Sequence, residues 1–483
     1  MQLNRLLLIL TALLMPSYAG AQPAQPRAGA ALDTRRVEPF GTRASIAEFG
    51  DTSTFSTWRA AAVWMNSGAP KTLIIPRGIH HIRRAAEDDP LSSLLVFTNN
   101  PTIFFESGAV LAFDDLRAPL LTFSGCTGGG IMGKPVFRFT GDTPRPGRSL
   151  LSAFFAVSGI PKGLSFGGGY ELWSIILSNS DNMFFSDIDA RPESLDQAHI
   201  IPFVLNLKPR AATIRASGNK IQNLSIGGYQ HGVLFYGQQG LRIDGVKSDY
   251  RGGVNYIAPG HVIYSTGENL RAVRSRDVII RRIEDGSHVL GWPASRKVSL
   301  GTLSMKGIEN SIVEKVRSLH PAGLITSISD NYHNTFQDLC WISNDREPIV
   351  GAAIFIISTA IDNSYRRIYM SASSKNARIL STGTGDSSGS VFDQIYLSGL
   401  SAPSYGNSGS FIDLFGSGVR KKDIIIHSVG ATKAAEQMQA FSVRSHNIEY
   451  SNSMEKDTGA VKFARGATGG LRPSWNNVCS GVF

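Results

Sequence analysis

Four short stretches decide the fold: Asp277-Val-Ile-Ile-Arg-Arg-Ile283, Asn310-Ser-Ile-Val-Glu-Lys-Val316, Asn334-Thr-Phe-Gln-Asp-Leu339 and Asn363-Ser-Tyr-Arg-Arg-Ile368. Each contains an apolar residue followed three positions later by another: Ile280/Ile283, Val313/Val316, Phe336/Leu339 and Tyr365/Ile368. A polar residue, Asn or Asp, sits just ahead of the pair. Working outward, the same doublet recurs upstream as Phe185/Ile188, Ile221/Leu224 and Ile243/Val246, and downstream as Phe392/Ile395 and Ile426/Val429. Asn182 and Asp423 extend the polar position.

Successive doublets lie roughly 22 to 37 residues apart, and a coil of three short strands and three turns needs about 20–25 residues. The short intervals match one bare coil, and the long ones match the same coil carrying a loop. Each coil leaves an apolar edge that only the next coil can cover, so equivalent positions stack into rows. Apolar runs such as Val278–Ile280 and Ile424–Ile426 suit buried parallel strands. Helical and leucine-rich arrays would hold a steadier period, a propeller likewise, and a sandwich would not keep one core pair through so many units. The pattern predicts an all-β chain: a single right-handed parallel β-helix, or solenoid.

The upstream end predicts a cap. Thr57–Asn66 (TWRAAAVWMN) has helical composition, with Ser56 as N-cap and Gly68 beyond its end. Lys71-Thr-Leu-Ile-Ile-Pro-Arg-Gly-Ile-His-His-Ile82 then reads as strand, Pro-containing turn, strand. A short N-terminal capping helix would cover the open end of the core and block edge pairing. Phe49-Gly50-Asp51, the helix, and Leu73-Ile-Ile-Pro-Arg-Gly78 followed by Ile79 and Ile82 resemble the opening of the pectin-lyase-like β-helix superfamily. The chain departs from that pattern in two places: Ser and Thr replace much of an acidic stretch, and Ile79-His80 replaces the usual aromatic. Over about residues 40–450 the resemblance implies the fold and an association with polysaccharides. It implies no mechanism, because lyases, hydrolases, epimerases, esterases and inactive members share that fold.

The ends and the composition add expectations. Arg5, the apolar Leu6–Leu14 and Ala19-Gly-Ala21 read as a secretory signal cleaved after Ala21, placing the mature chain in the periplasm or outside the cell without stable membrane insertion. The organisation expected is 1–21 signal, 22–40 flexible segment, 41–450 capped β-helix and 451–483 C-terminal tail or cap. A formal charge of +10 suits a polyanionic partner if it is clustered, in this setting an acidic polysaccharide rather than nucleic acid. Cys126, Cys340 and Cys479 are too few for a disulfide framework and have no metal-ligand spacing, although one pair could form in an oxidising compartment and leave an odd thiol. No cofactor is expected, and oligomeric state is left open.

Long insertions gather on the working side of a solenoid, and here they are 189–220, 247–279 and 284–312. The second and third occupy adjacent coils, so their loops should flank one groove. His231-Gly-Val-Leu-Phe-Tyr236 and Gly260-His-Val-Ile-Tyr264 each put a His and a Tyr on a short strand of that region. In Leu303-Ser-Met-Lys-Gly307, Leu303 and Met305 should face inward and turn Lys306 outward. Elimination from a uronate needs a carboxylate neutraliser, a base for the C5 proton and an acid for the leaving oxygen. His261, Tyr264 and Lys306 are therefore the expected catalytic residues, with His231, Tyr236, Asp249, Arg251, Arg271, Asp285 and His288 expected to bind substrate. A glycoside hydrolase would need two spaced carboxyl groups, and a non-catalytic polysaccharide-binding factor neither. All three readings stay open at this level, with the lyase ahead.

Overall fold

The computed structural model describes residues 42–451 with internal gaps, the longer of which are 84–94, 141–173, 194–202, 253–260, 290–300, 343–351, 399–411 and 428–440. Nearly every described element is a short strand, and every pairing between strands is parallel. One coil shows the plan. Leu303–Lys306 joins the second sheet, Ile308–Glu309 the third, and Ile312–Ser318 the first; Ile325–Ser329 then returns to the second sheet beside Leu303–Lys306. The second sheet stacks its twelve described strands in strict chain order, from Val96–Phe97 to Phe441–Val443. This is the right-handed parallel β-helix that the doublets predict.

The doublets stack as expected. Phe185 lies opposite Ile221, and the row continues through Ile243, Ile280, Val313, Phe336, Tyr365 and Phe392. The partner row runs Leu224, Val246, Ile283, Val316, Leu339, Ile368, Ile395. All of these side chains are buried in one continuous core. Where the row is aromatic it becomes a stack: the Phe336 and Tyr365 rings lie 5.1 Å apart at 6°, and Tyr365 and Phe392 lie 4.6 Å apart at 3°. Burial pushes the Tyr365 phenol pKa far up.

Strand alternation alone would send residues i and i+3 to opposite faces. One left-handed residue between them resolves the conflict in every coil: Asp187, Asn223, Gly245, Arg282, Lys315, Asp338, Arg367 and Gln394 all have φ between 51° and 81°. It bends the strand so that both members of the doublet point inward. For a non-glycine residue this conformation costs roughly 1–2 kcal/mol, less than the roughly 1.5–3 kcal/mol gained by burying each large apolar side chain.

The polar residues ahead of the doublets belong to two structures. Asn182, Asp277 and Asn310 are again left-handed and turn the chain into the first sheet, the last two directly after a strand of the third. Asn334 and Asn363 lie one residue further on and point into the core, where they form a ladder with Ser311 and Ser390. The backbone N–H of Ser311 donates to Asn334 Oδ1 (2.9 Å), that of Asn334 to Asn363 Oδ1 (2.8 Å), and that of Asn363 to Ser390 Oγ (3.2 Å). These bonds satisfy amides that the bends leave without ladder partners.

Two details differ from the sequence reading. The ninth doublet is not Ile426/Val429: Phe392 lies opposite Lys421 and Ile395 opposite Ile424, while Val429 lies outside the described residues. The capping helix α1 spans Phe55–Met65, so Ser56 is inside it; Thr54 occupies the N-cap without a side-chain capping bond. The helix buries Trp58, Trp64 and Met65 over the first coils. His80, where the resemblance expects an aromatic, is buried and bonds the Pro76 carbonyl and the Thr52 hydroxyl. Among the cysteines, Cys126 is free and buried and Cys340 is disulfide-bonded; Cys479 lies outside the described residues.

Candidate active site on the outer face of the second sheet

Every coil crosses the second sheet once, with side chains alternating inward and outward. Leu205, Val233, Ile263 and Leu303 form one inward row. The outward row beside it runs Thr122, Leu177, Asn206, Leu234, Tyr264, Ser304. The same register carries a second outward row through Asn179, Lys208, Tyr236, Thr266 and Lys306. Four residues nominated from sequence, Tyr236, His261, Tyr264 and Lys306, thus come together on one face.

That face is covered. Asn179, Asn206, Lys208, Tyr236, Thr266 and Ser304 are buried although they point away from the core. Tyr264 and Lys306, in adjacent coils, are the half-buried members. The Tyr264 ring stacks on Phe203 (6.2 Å, 18°) and lies 5.1 Å from the His261 imidazole. His261 is only 5% exposed, with Nδ1 2.6 Å from the Gly301 carbonyl oxygen. A carbonyl can only accept, so Nδ1 carries a proton, and in the neutral ring Nε2 holds the lone pair. Leu303 and Met305 enter the core, Lys306 lies on the other side of the strand, and its backbone N–H donates to Ser265 Oγ (2.7 Å).

Of these four, Tyr236 is closed to solvent, and the other nominated residues fall elsewhere. Tyr236 is 0% exposed, with the Lys208 ammonium 5.7 Å from its ring centroid, so it packs beneath the face rather than presenting itself to a ligand from solvent. Asp285 is a correction: it is 1% exposed and turned to the inside of the coil, where Oδ2 accepts from the Thr302 hydroxyl (2.8 Å). Asp249 ends its strand exposed, opposite Gly227. The backbones of Arg251 and His288 pair directly, so the starts of the two long loops do run side by side. His231 and Arg271 lie outside the described residues.

Sequence reasoning missed Asn206, Lys208, Thr266 and Ser304. The signal was present in the alternation: Asn206 stands between the inward Leu205 and Leu207, so it must face outward. Among the described residues no group of three His, Cys, Asp or Glu is arranged to hold a metal ion. No Asp or Glu occupies the two outward rows from Thr122 to Lys306.

Among the described residues, several cations are paired with acids on the first sheet and beside the third. On the first sheet Arg281 and Arg282 both bond Asp244, Arg367 forks onto Asp338 (2.6 and 2.9 Å), and Lys247 meets Glu284 (3.3 Å). On the third sheet Arg274 forks onto Asp330 (2.9 and 2.8 Å) and Arg276 meets Glu309 (2.6 Å). These cations are neutralised between coils.

No protein-family model matches the sequence, and no curated protein matches it. Solved structures do resemble it. A mutant DFA-IIIase from Arthrobacter chlorophenolicus A6 in complex with DFA-III is 11% identical, with 84% of this chain and 94% of that chain covered and a TM-score of 0.43. The N-terminal fragment of bacteriophage Phi29 gene product 12 is 13% identical, over 81% of this chain and 72% of that one, at a TM-score of 0.42. An exopolygalacturonase from Thermotoga maritima is 9% identical, over 84% and 91%, at 0.36.

Proposed function

We propose that this chain is an exported polysaccharide-active protein that cleaves an acidic, uronate-containing chain by β-elimination on the outer face of the second sheet. The observation that carries the reading is local: on a face otherwise buried from Asn179 to Ser304, accessibility is retained at Tyr264 and Lys306. Lys306 supplies the cation for the uronate carboxylate. His261 Nε2 takes the C5 proton, the C4–O bond breaks as the C4=C5 double bond forms, and the Tyr264 phenol protonates the departing oxygen. The two outward rows carry no carboxylate pair between Thr122 and Lys306, which favours elimination over hydrolysis there. The disulfide at Cys340 suits an oxidising compartment, in keeping with the signal-like residues 1–21.

The test is incubation of the purified chain with uronate polymers, following ultraviolet absorbance from new unsaturated ends. His261→Ala, Tyr264→Phe and Lys306→Ala should each lower the rate by about 10²–10⁴-fold. New reducing ends without absorbance would replace elimination by hydrolysis. Saturable binding without products would leave a non-catalytic binding protein.

A further inference from the structure

Asp285 has a place in this geometry that its sequence position did not suggest. Its carboxylate lies inside the coil and accepts from Thr302 Oγ1 (2.8 Å), and the same hydroxyl bonds Ser318 Oγ (2.5 Å). All three residues are essentially excluded from solvent. Thr302 is the first residue of its coil to meet the second sheet after the long loop, and it grips the strand bearing His261. Its carbonyl accepts from the N–H groups of Val262 (2.8 Å) and Ile263 (3.2 Å). The carbonyl one residue earlier, on Gly301, accepts from His261 Nδ1 (2.6 Å). Gly301 has no side chain of its own with which to fix that carbonyl. It shares a peptide plane with the Thr302 N–H, which donates to the Gly323 carbonyl (3.2 Å), and the Thr302 side chain is held by the buried carboxylate.

We infer that Asp285 is a positioning residue that acts through Thr302 on His261. By helping to fix the Gly301–Thr302 peptide it aims the carbonyl that keeps the proton on His261 Nδ1 and so the lone pair of the neutral ring on Nε2. This inference rests on the reading of His261 as the base. It is nevertheless testable without substrate, because a ring tautomer is a spectroscopic property of the folded chain. A polar side chain in this spot is expensive: a buried carboxylate without good partners destabilises its host, whereas an apolar residue would serve packing alone. In the same inward row the adjacent coils carry Ser248 and Ser318, and apolar side chains return beyond them at Ile226, Trp341 and Met370, so the polar group is confined to the coils around Thr302.

The experiment uses the full chain with ¹⁵N-labelled histidine, the His261 imidazole being assigned by its loss in His261→Gln. Native protein should show His261 as the Nδ1–H tautomer. Thr302→Val removes the hydroxyl without changing shape and should bring in the Nε2–H tautomer to roughly half the population. Thr302→Ser restores the hydroxyl and should restore the native signature. Asp285→Ala should act as Thr302→Val does. In the uronate assay Thr302→Val should lower kcat by about 10- to 100-fold with KM nearly unchanged, as expected for a displaced catalytic group. An unchanged His261 signature in folded Thr302→Val overturns the inference, even if Asp285→Ala fails to fold. A shifted tautomer in a chain that proves to have no lyase activity supports the positioning link and removes only the elimination reading.

Discussion

The same coils present two outward faces that solve opposite problems. On the first sheet many outward side chains are charged, and several pair between coils, as Asp244 does with Arg281 and Arg282. On the second sheet the outward rows from Thr122 to Lys306 mix polar, aromatic and aliphatic side chains, and all but Tyr264 and Lys306 are as buried as the core. Ion pairs on an exposed wall contribute little to stability, typically below about 1 kcal/mol each, and they leave no net charge for a polyanion to read. Buried polar groups cost several times more unless bonded. A requirement other than folding would account for the asymmetry, and the site proposed on the face bearing His261, Tyr264 and Lys306 supplies one.

Introducing an acid on each face tests this contrast most severely. Leu234→Asp on the second sheet should destabilise by roughly 3–5 kcal/mol, as an unpaired buried charge does. Lys220→Asp, outward on the first sheet and exposed beside Arg242, should change stability by no more than about 0.5 kcal/mol. Equal midpoint shifts in urea for the two variants would erase the distinction between the faces.

A smaller effect of opposite sign is expected at the bend of the first sheet. Lys315 is left-handed at φ 55°, whereas the same row at Asn223 holds φ 54° with a residue suited to it. Lys315→Asn should therefore stabilise, by about 0.5–1 kcal/mol, measured by the same denaturation. A loss of stability would mean that the lysine stem covers apolar surface of the wall.

The smallest effect concerns acid. Burial raises the Asp244 carboxyl, but hydrogen bonds from Arg282 and Arg281 outweigh it and hold the group below the usual carboxylate range. The folded value being depressed, Asp244 contributes stability that is complete above the unfolded value, near 3.9. That stability is lost as pH falls through the lower folded value. Asp244→Asn should flatten this acid limb by less than about 1 kcal/mol, since the arginines are about half exposed. An unaltered limb would show that the wall's charges do not act on folding at all.

Much of the fold was legible because the interior rows demand apolar residues at fixed positions, and Phe336/Leu339 or Val313/Val316 leave few other registers. Where the chain offers several, as in Ile424-Ile425-Ile426, the spacing rule chose the wrong pair and only the pairing of Ile395 with Ile424 decides it. The left-handed residues were hidden for another reason. Arg282, Lys315 and Arg367 are not turn formers, and the stacked core imposes their conformation. The candidate site was half legible. Lys306 follows from alternation, and the same rule would have turned Asp285 inward, two residues after the buried Ile283. The burial of Lys208 and Tyr236 follows from no local pattern, because it depends on what lies over the sheet.

The Asn and Ser ladder has a consequence for how such a chain changes length. Each rung serves the amide of the rung before it, so Asn334 plays toward Ser311 the part that Asn363 plays toward Asn334. Excising 310–332 would join Glu309 to His333, replacing one left-handed residue, Asn310, by another and one rung, Ser311, by the next. The molecule would shorten by a single turn, about 4.8 Å, with both inner rows of side chains still unbroken. The architecture is thus modular at a seam written in hydrogen bonds, and growth or loss by whole turns is the change it absorbs most easily.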